Sequence, residues 1–198
     1  MEQMDINILA EVDRTKIIAV GVSEYDDLKC LEGPSKDLQT VKNIFISTTG
    51  VSIYPTEKIS VLENPTTNEL RESLMDYINT RTAGGDILIF YFAGHGYVSG
   101  YGEFSLCLKD SRKGFDNSGV LALSTLSFGE IVKSLSARDI KPFFILDTCF
   151  SAASAKVGQV NVGVQIEYEA SKSLGSSYSV LASSSPTAFS RESKEGGL

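Results

Sequence analysis

One stretch limits the folds open to this chain more than any other: Asp86-Ile-Leu-Ile-Phe-Tyr-Phe-Ala-Gly-His-Gly-Tyr97, which holds the only histidine among 198 residues. Its apolar run, Ile87 to Ala93, is too short to span a membrane and too rich in aromatic and branched side chains for a typical helix. It reads as a strand buried on both faces, the kind found in parallel sheets. His95 then sits at a strand end, where an open parallel sheet forms its ligand crevice, and the glycines on either side let backbone and imidazole come close to a substrate.

A second run ends the same way. Lys141-Pro-Phe-Phe-Ile-Leu-Asp-Thr-Cys149 is a short apolar strand, Phe143 to Leu146, that stops in a polar cluster carrying a cysteine. If the two strands share a parallel sheet, His95 and Cys149 emerge at the same edge although they are 54 residues apart in sequence. A Cys–His pair is then within geometric reach.

Size and charge narrow the partners. A chain of this length forms about one domain, whose core buries roughly 70% of the surface the unfolded chain exposes, so it folds without metal or disulfide. With 18 basic and 25 acidic residues the net charge is −7, and no basic cluster is present. Nucleic acid and anionic membrane are therefore not expected partners, while an acidic site for a basic substrate fits. Cys30, Cys107 and Cys149 are odd in number and widely spaced, which suits neither a disulfide framework nor a zinc site. No signal-like or membrane-spanning run occurs, so the expected setting is the reducing cytoplasm.

In order, residues 1–14 are a polar lead-in and Lys16 to Val22 is a buried strand. Ser23 to Gly33 is a loop, and Pro34 opens a helix with Leu38, Val41, Ile44 and Phe45 inward and Asp37 in its first turn, ending near Gly50. Lys58 to Leu62 is a strand. Thr66 with Glu69 has the form of a capping box before a helix that buries Leu70, Leu74, Tyr77 and Ile78. Beyond the His strand, Glu103 to Leu108 suggests a β-hairpin, with Cys107 a core residue. Ser127 with Glu130 repeats the capping pattern ahead of a third helix that turns Ile131, Val132 and Leu135 inward. Residues 152–177 read as a long loop, functional, disordered or a processing site, and Ser179 to Ser183 as a last strand. The alternation predicts a three-layer α/β fold with a mainly parallel central sheet.

The chemistry of the pair follows from its groups. A cysteine attacks an acyl carbon as thiolate, so it needs a neighbour that takes its proton and later returns it to the leaving amine, and imidazole does both. The backbone N–H groups of Gly96 and Cys149 are candidate donors to the oxyanion. Ser151 and Ser154 stand nearby, but without a Gly-x-Ser-x-Gly elbow. Asp147, two residues before Cys149, and Asp37, at the first strand–helix crossover, are either capping carboxylates or the walls of a pocket for a positively charged side chain.

Four segments together resemble the caspase-like cysteine peptidases, and more closely the metacaspase and prokaryotic caspase-homologue branch: Ala19 to Tyr25, Leu31 to Asp37, Phe90 to Gly96, and Asp147-Thr-Cys-Phe-Ser151. The resemblance covers residues 15–198, and the His–Cys interval agrees with the roughly 50 residues seen in caspases. It implies a caspase–haemoglobinase fold, His95 and Cys149 as catalytic dyad, and cleavage of protein or peptide substrates. In metacaspase-like members the aspartates matching Asp147 and Asp37 line a pocket for Arg or Lys, which implies basic specificity. The resemblance further implies a role in defence or regulated cell death, a regulatory domain or activating partner, and a further strand and helix after Gly196-Gly197, so that the chain looks incomplete at that end. No metal ligand set and no cofactor is expected; some metacaspases take calcium, but no compact carboxylate loop is seen here. Lys156 and Lys172, within 152–177, would be self-processing sites. Two other readings share the fold, a catalytically inactive recruitment module and a CHAT-type peptidase of different specificity.

Overall fold

The computed structural model describes residues 14–45, 58–80, 85–115, 119–150 and 162–182, with residues 149 and 150 described by their backbone alone. Five parallel strands carry the apolar runs: β1 (Thr15–Gly21), β2 (Ile59–Glu63), β3 (Ile87–Val98), β6 (Lys141–Phe150) and β7 (Ser179–Ala182). They lie side by side as β2-β1-β3-β6-β7. Two short antiparallel strands, β4 (Phe104–Leu106) and β5 (Leu126–Ser127), complete the seven-stranded sheet. Because Gly96 pairs with Phe150 of β6 and also with Leu106 of β4, β4 occupies the other flank of β3, beyond the end of β1.

The sheet extends further than the apolar runs. β3 does not stop at Ala93 but continues through Gly94, His95 and Gly96 to Val98, and β6 continues through Cys149. The reason is tertiary: the two extensions pair with each other, and β4 pairs with Gly96 to Val98, so each glycine gains ladder partners that local propensity does not supply. His95 and Cys149 thus lie inside strands rather than just past their ends.

The faces of the sheet are covered unequally. Helices α2 (Thr67–Thr80), α3 (Phe128–Ser136) and α4 (Val162–Leu174) pack on one face, burying Leu70, Leu74, Ile131, Leu135, Ile166 and Ala170 against Ile18, Val20, Phe90, Phe92 and Phe144. Phe128 and Phe144 meet edge to face at 4.8 Å, a geometry worth about 0.5–1.5 kcal/mol beyond the area buried. On the opposite face α1 (Pro34–Phe45) lays Leu38 and Val41 over Ala19, Tyr91 and Ala93. Gly21 allows that approach, since a Cβ there would stand 2.9 Å from both the Leu38 Cβ and the Pro34 carbonyl oxygen. Ile44 is exposed, not inward, because it falls outside the Leu38, Val41, Phe45 stripe.

Local signals divide into kept and overridden. The Thr66–Glu69 capping box forms, with the Thr66 N–H donating to Glu69 Oε2 at 2.7 Å and the Glu69 N–H to Thr66 Oγ1 at 3.3 Å. At Ser127 no side-chain cap forms; Glu130 turns instead to Arg71 of α2, at 3.1 and 3.2 Å. The segment read as a loop over 152–177 contains α4, whose inward residues Ile166 and Ala170 are spaced by four. Cys107 is a buried core residue as expected, and burial pushes its thiol pKa up to about 12. Among the described residues no helix is long and apolar enough to cross a membrane.

Candidate active site

β3 and β6 run parallel in a register that sets Ala93 opposite Asp147, Gly94 opposite Thr148, and His95 opposite Cys149. The histidine and the cysteine are therefore backbone neighbours on adjacent strands. Side chains alternate along a strand, so Tyr91, Ala93 and His95 share the face that α1 covers, while Phe90 and Phe92 point into the larger core.

His95 is held from three directions by the loop that follows β1. Its ring Nε2 lies 2.8 Å from the carbonyl oxygen of Lys29, its backbone N–H donates to Tyr25 Oη at 2.8 Å, and the Tyr25 ring tilts against the imidazole with centroids 4.8 Å apart. Gly94 admits the tyrosine, since a Cβ at that position would be 2.9 Å from its hydroxyl. A carbonyl oxygen can only accept, so Nε2 carries the proton and, in neutral imidazole, the lone pair is on Nδ1. Nδ1 is buried and has no hydrogen-bond partner among the described residues. A base oriented by a backbone carbonyl, with its free nitrogen left available, is the arrangement general-base catalysis needs.

The oxyanion candidates lie on the same two strands. His95 turns its C=O towards β4, where it accepts the Cys107 N–H at 3.0 Å. Successive residues of a strand alternate edges, so the Gly96 N–H faces β6. An oxyanion received between Gly96 and Cys149 therefore requires β3 and β6 to part at their last pairs.

The two aspartates come to the same sheet face. Asp37, in the first turn of α1, is buried; Asp147, the register partner of Ala93, is half-buried. Burial raises the pKa of the Tyr91 phenol, and the negative charges of Asp37 and then Asp147 raise it further. Lys172 lies in the last turn of α4, and Lys156 lies outside the described residues. Sequence reasoning missed Tyr25, the Lys29 carbonyl and Tyr91. Tyr91 had a signal in its spacing of four from His95, which keeps it in phase on a strand, and Tyr25 in its place at the end of the first matched segment.

The caspase domain, as a family, matches residues 14–197 of the chain. None of the curated proteins compared with the chain matches it. Among solved structures, Raptor from Chaetomium thermophilum is similar at 13% identity with a TM-score of 0.40, over 85% of this chain and 15% of Raptor. The chain thus spans about a seventh of that relative's length.

Proposed function

This chain belongs to the caspase-domain family, and on that footing we propose that it is a cysteine endopeptidase that cuts proteins after Arg or Lys through a His95–Cys149 dyad. The observation that carries the reading is the register of His95 opposite Cys149, with the imidazole pinned through Nε2 by the Lys29 carbonyl.

The steps follow from these groups. His95 Nδ1 takes the Cys149 thiol proton, and the thiolate attacks the scissile carbonyl carbon. Once β3 and β6 part at their last pairs, the resulting oxyanion takes N–H donors from Gly96 and Cys149, and collapse expels the amine as His95 returns the proton to it, leaving a thioester. Water, deprotonated by the same imidazole, then hydrolyses the thioester and frees the thiol. Asp37 and Asp147 supply the negative wall that receives the basic side chain, in keeping with a chain of net charge −7. The metacaspase-like branch, a cytoplasmic setting, a role in defence or regulated cell death, and activation by a partner complete the reading, supported by the motif resemblance alone.

Peptide substrates that differ only in ending in Arg, Lys or Asp test this reading, with Cys149→Ser as the control for contaminating protease. Cleavage after Arg and Lys but not Asp, lost in Cys149→Ser, is expected. Asp147→Ala should lower kcat/KM on the basic peptides by at least tenfold, since it removes a charge-assisted contact. Cleavage after Asp alone, or by Cys149→Ser as fast as by wild type, would contradict it. A recruitment module would cut none.

A further inference from the structure

We propose that Tyr91 is a specificity-determining residue: its hydroxyl forms the floor beneath Asp37 and Asp147 and accepts an N–H from an arginine guanidinium, so that the site selects Arg over Lys. The inference rests on the basic-residue reading above and deepens it.

Tyr91 is 1% exposed, and its Oη is a buried polar atom with no hydrogen-bond partner among the described residues. Buried hydroxyls nearly always have a partner, and an orphan at a candidate site calls for one that arrives with a ligand. The placement supplies the ligand's chemistry. Tyr91 stands two residues before Ala93, whose register partner is Asp147. It packs against Leu38 and Val41, on the helix turn that carries Asp37. The three groups lie at increasing depth, with Asp147 half-buried, Asp37 buried and the phenol fully enclosed. In the proposed arrangement a side chain entering past Asp147 reaches the carboxylates before the hydroxyl.

Guanidinium and ammonium differ in what they ask of such a floor. The planar guanidinium fork has five N–H donors spread in several directions, so two carboxylates leave donors unmet, and a neutral oxygen at the end of the pocket takes one. The ammonium is a compact, strongly hydrated point charge with three donors, which two carboxylates and one water satisfy near the mouth. Tyr91 therefore adds to Arg binding and little to Lys binding. It takes no part in proton transfer.

The test is kcat/KM of wild type and Tyr91→Phe on two peptides identical except for Arg or Lys before the scissile bond. The substitution deletes only the oxygen, and a structural role would move both substrates together. The Arg-to-Lys ratio should fall about tenfold in Tyr91→Phe, the size of one hydrogen bond to a charged group, with the Lys rate within about twofold of wild type. An unchanged ratio with both peptides still cut overturns the Tyr91 assignment and leaves basic specificity standing. A wild type that cuts neither peptide overturns the basic-residue reading and this inference with it. Inhibition by agmatine and by cadaverine gives the same comparison without turnover: the agmatine-to-cadaverine affinity ratio should fall about tenfold from wild type to Tyr91→Phe, and an unchanged ratio contradicts the proposal.

Discussion

The Nε2 of His95 lies 2.8 Å from the carbonyl oxygen of Lys29, a residue 66 positions earlier in the chain. A backbone acceptor leaves no choice of tautomer, so the loop after β1 decides which imidazole nitrogen is free. The same loop sends Tyr25 to the His95 N–H and to the face of its ring. Fold and candidate chemistry meet here, because any substitution that lets the loop move also turns the imidazole.

Tyr25→Phe tests that coupling. It keeps the ring contact but leaves the buried His95 N–H without its acceptor, which costs about 1–3 kcal/mol. Urea unfolding should show a loss in that range. The peptidase rate on the Arg peptide should fall with KM little changed, since the base is misaligned while the specificity pocket is untouched.

Gly21→Ala probes the seating of α1. Its new methyl group would meet the Leu38 Cβ and the Pro34 carbonyl oxygen at 2.9 Å, and the carbonyl belongs to a helix turn that cannot yield alone. Overpacking of this kind costs about 1–3 kcal/mol, read as a lower urea midpoint. Asp37 rides on the same turn, so use of basic substrates should weaken as well.

Glu69 gives a pH-dependent prediction. Hydrogen bonds from the Thr66 N–H and hydroxyl hold its carboxyl below the usual range in the folded protein. A carboxyl whose folded pKa is depressed adds stability that is present above its unfolded pKa and disappears as pH falls through the folded value. Wild type should therefore be more stable than Glu69→Gln at neutral pH, and the difference in thermal midpoint should close as pH is lowered through the acidic carboxyl range. A difference independent of pH would show that the cap works without the charge.

Thiol reactivity separates the cysteines. Cys107 is buried and its pKa is pushed up to about 12, so at pH 8 it carries almost no thiolate. Iodoacetamide should leave Cys107 unmodified in the native protein and alkylate it only in denaturant, whereas exposed Cys30 should react in both. Peptide mapping by mass spectrometry reads the three sites individually.

Much of the architecture was legible because the buried strands announce themselves as short apolar, branched and aromatic runs, and Thr66-Thr-Asn-Glu69 closes the capping box its spacing describes. The failures share a cause. Gly94-His-Gly96 looks like a strand end, yet pairing with β4 and β6 draws it into the sheet. Glu130 leaves its capping role for a partner 59 residues away on α2. α4 was hidden because its inward residues, Ile166 and Ala170, make too thin a stripe to stand out among glycines and polar residues. At the site, residue type makes His95, Cys149, Asp37 and Asp147 candidates, and the structure adds the register between the first two. The Lys29 carbonyl was not readable, since every residue has one and only the fold chooses among them.

The most direct measurement of the central claim is covalent trapping with a peptidyl-arginine acyloxymethyl ketone, followed by peptide mapping of wild type and His95→Ala. The account predicts one adduct, on Cys149, with Cys30 and Cys107 unlabelled. The labelling rate should fall by about 10²–10⁴ when the imidazole is removed. An adduct on Cys30, or labelling of Cys149 at the same rate without His95, would contradict it.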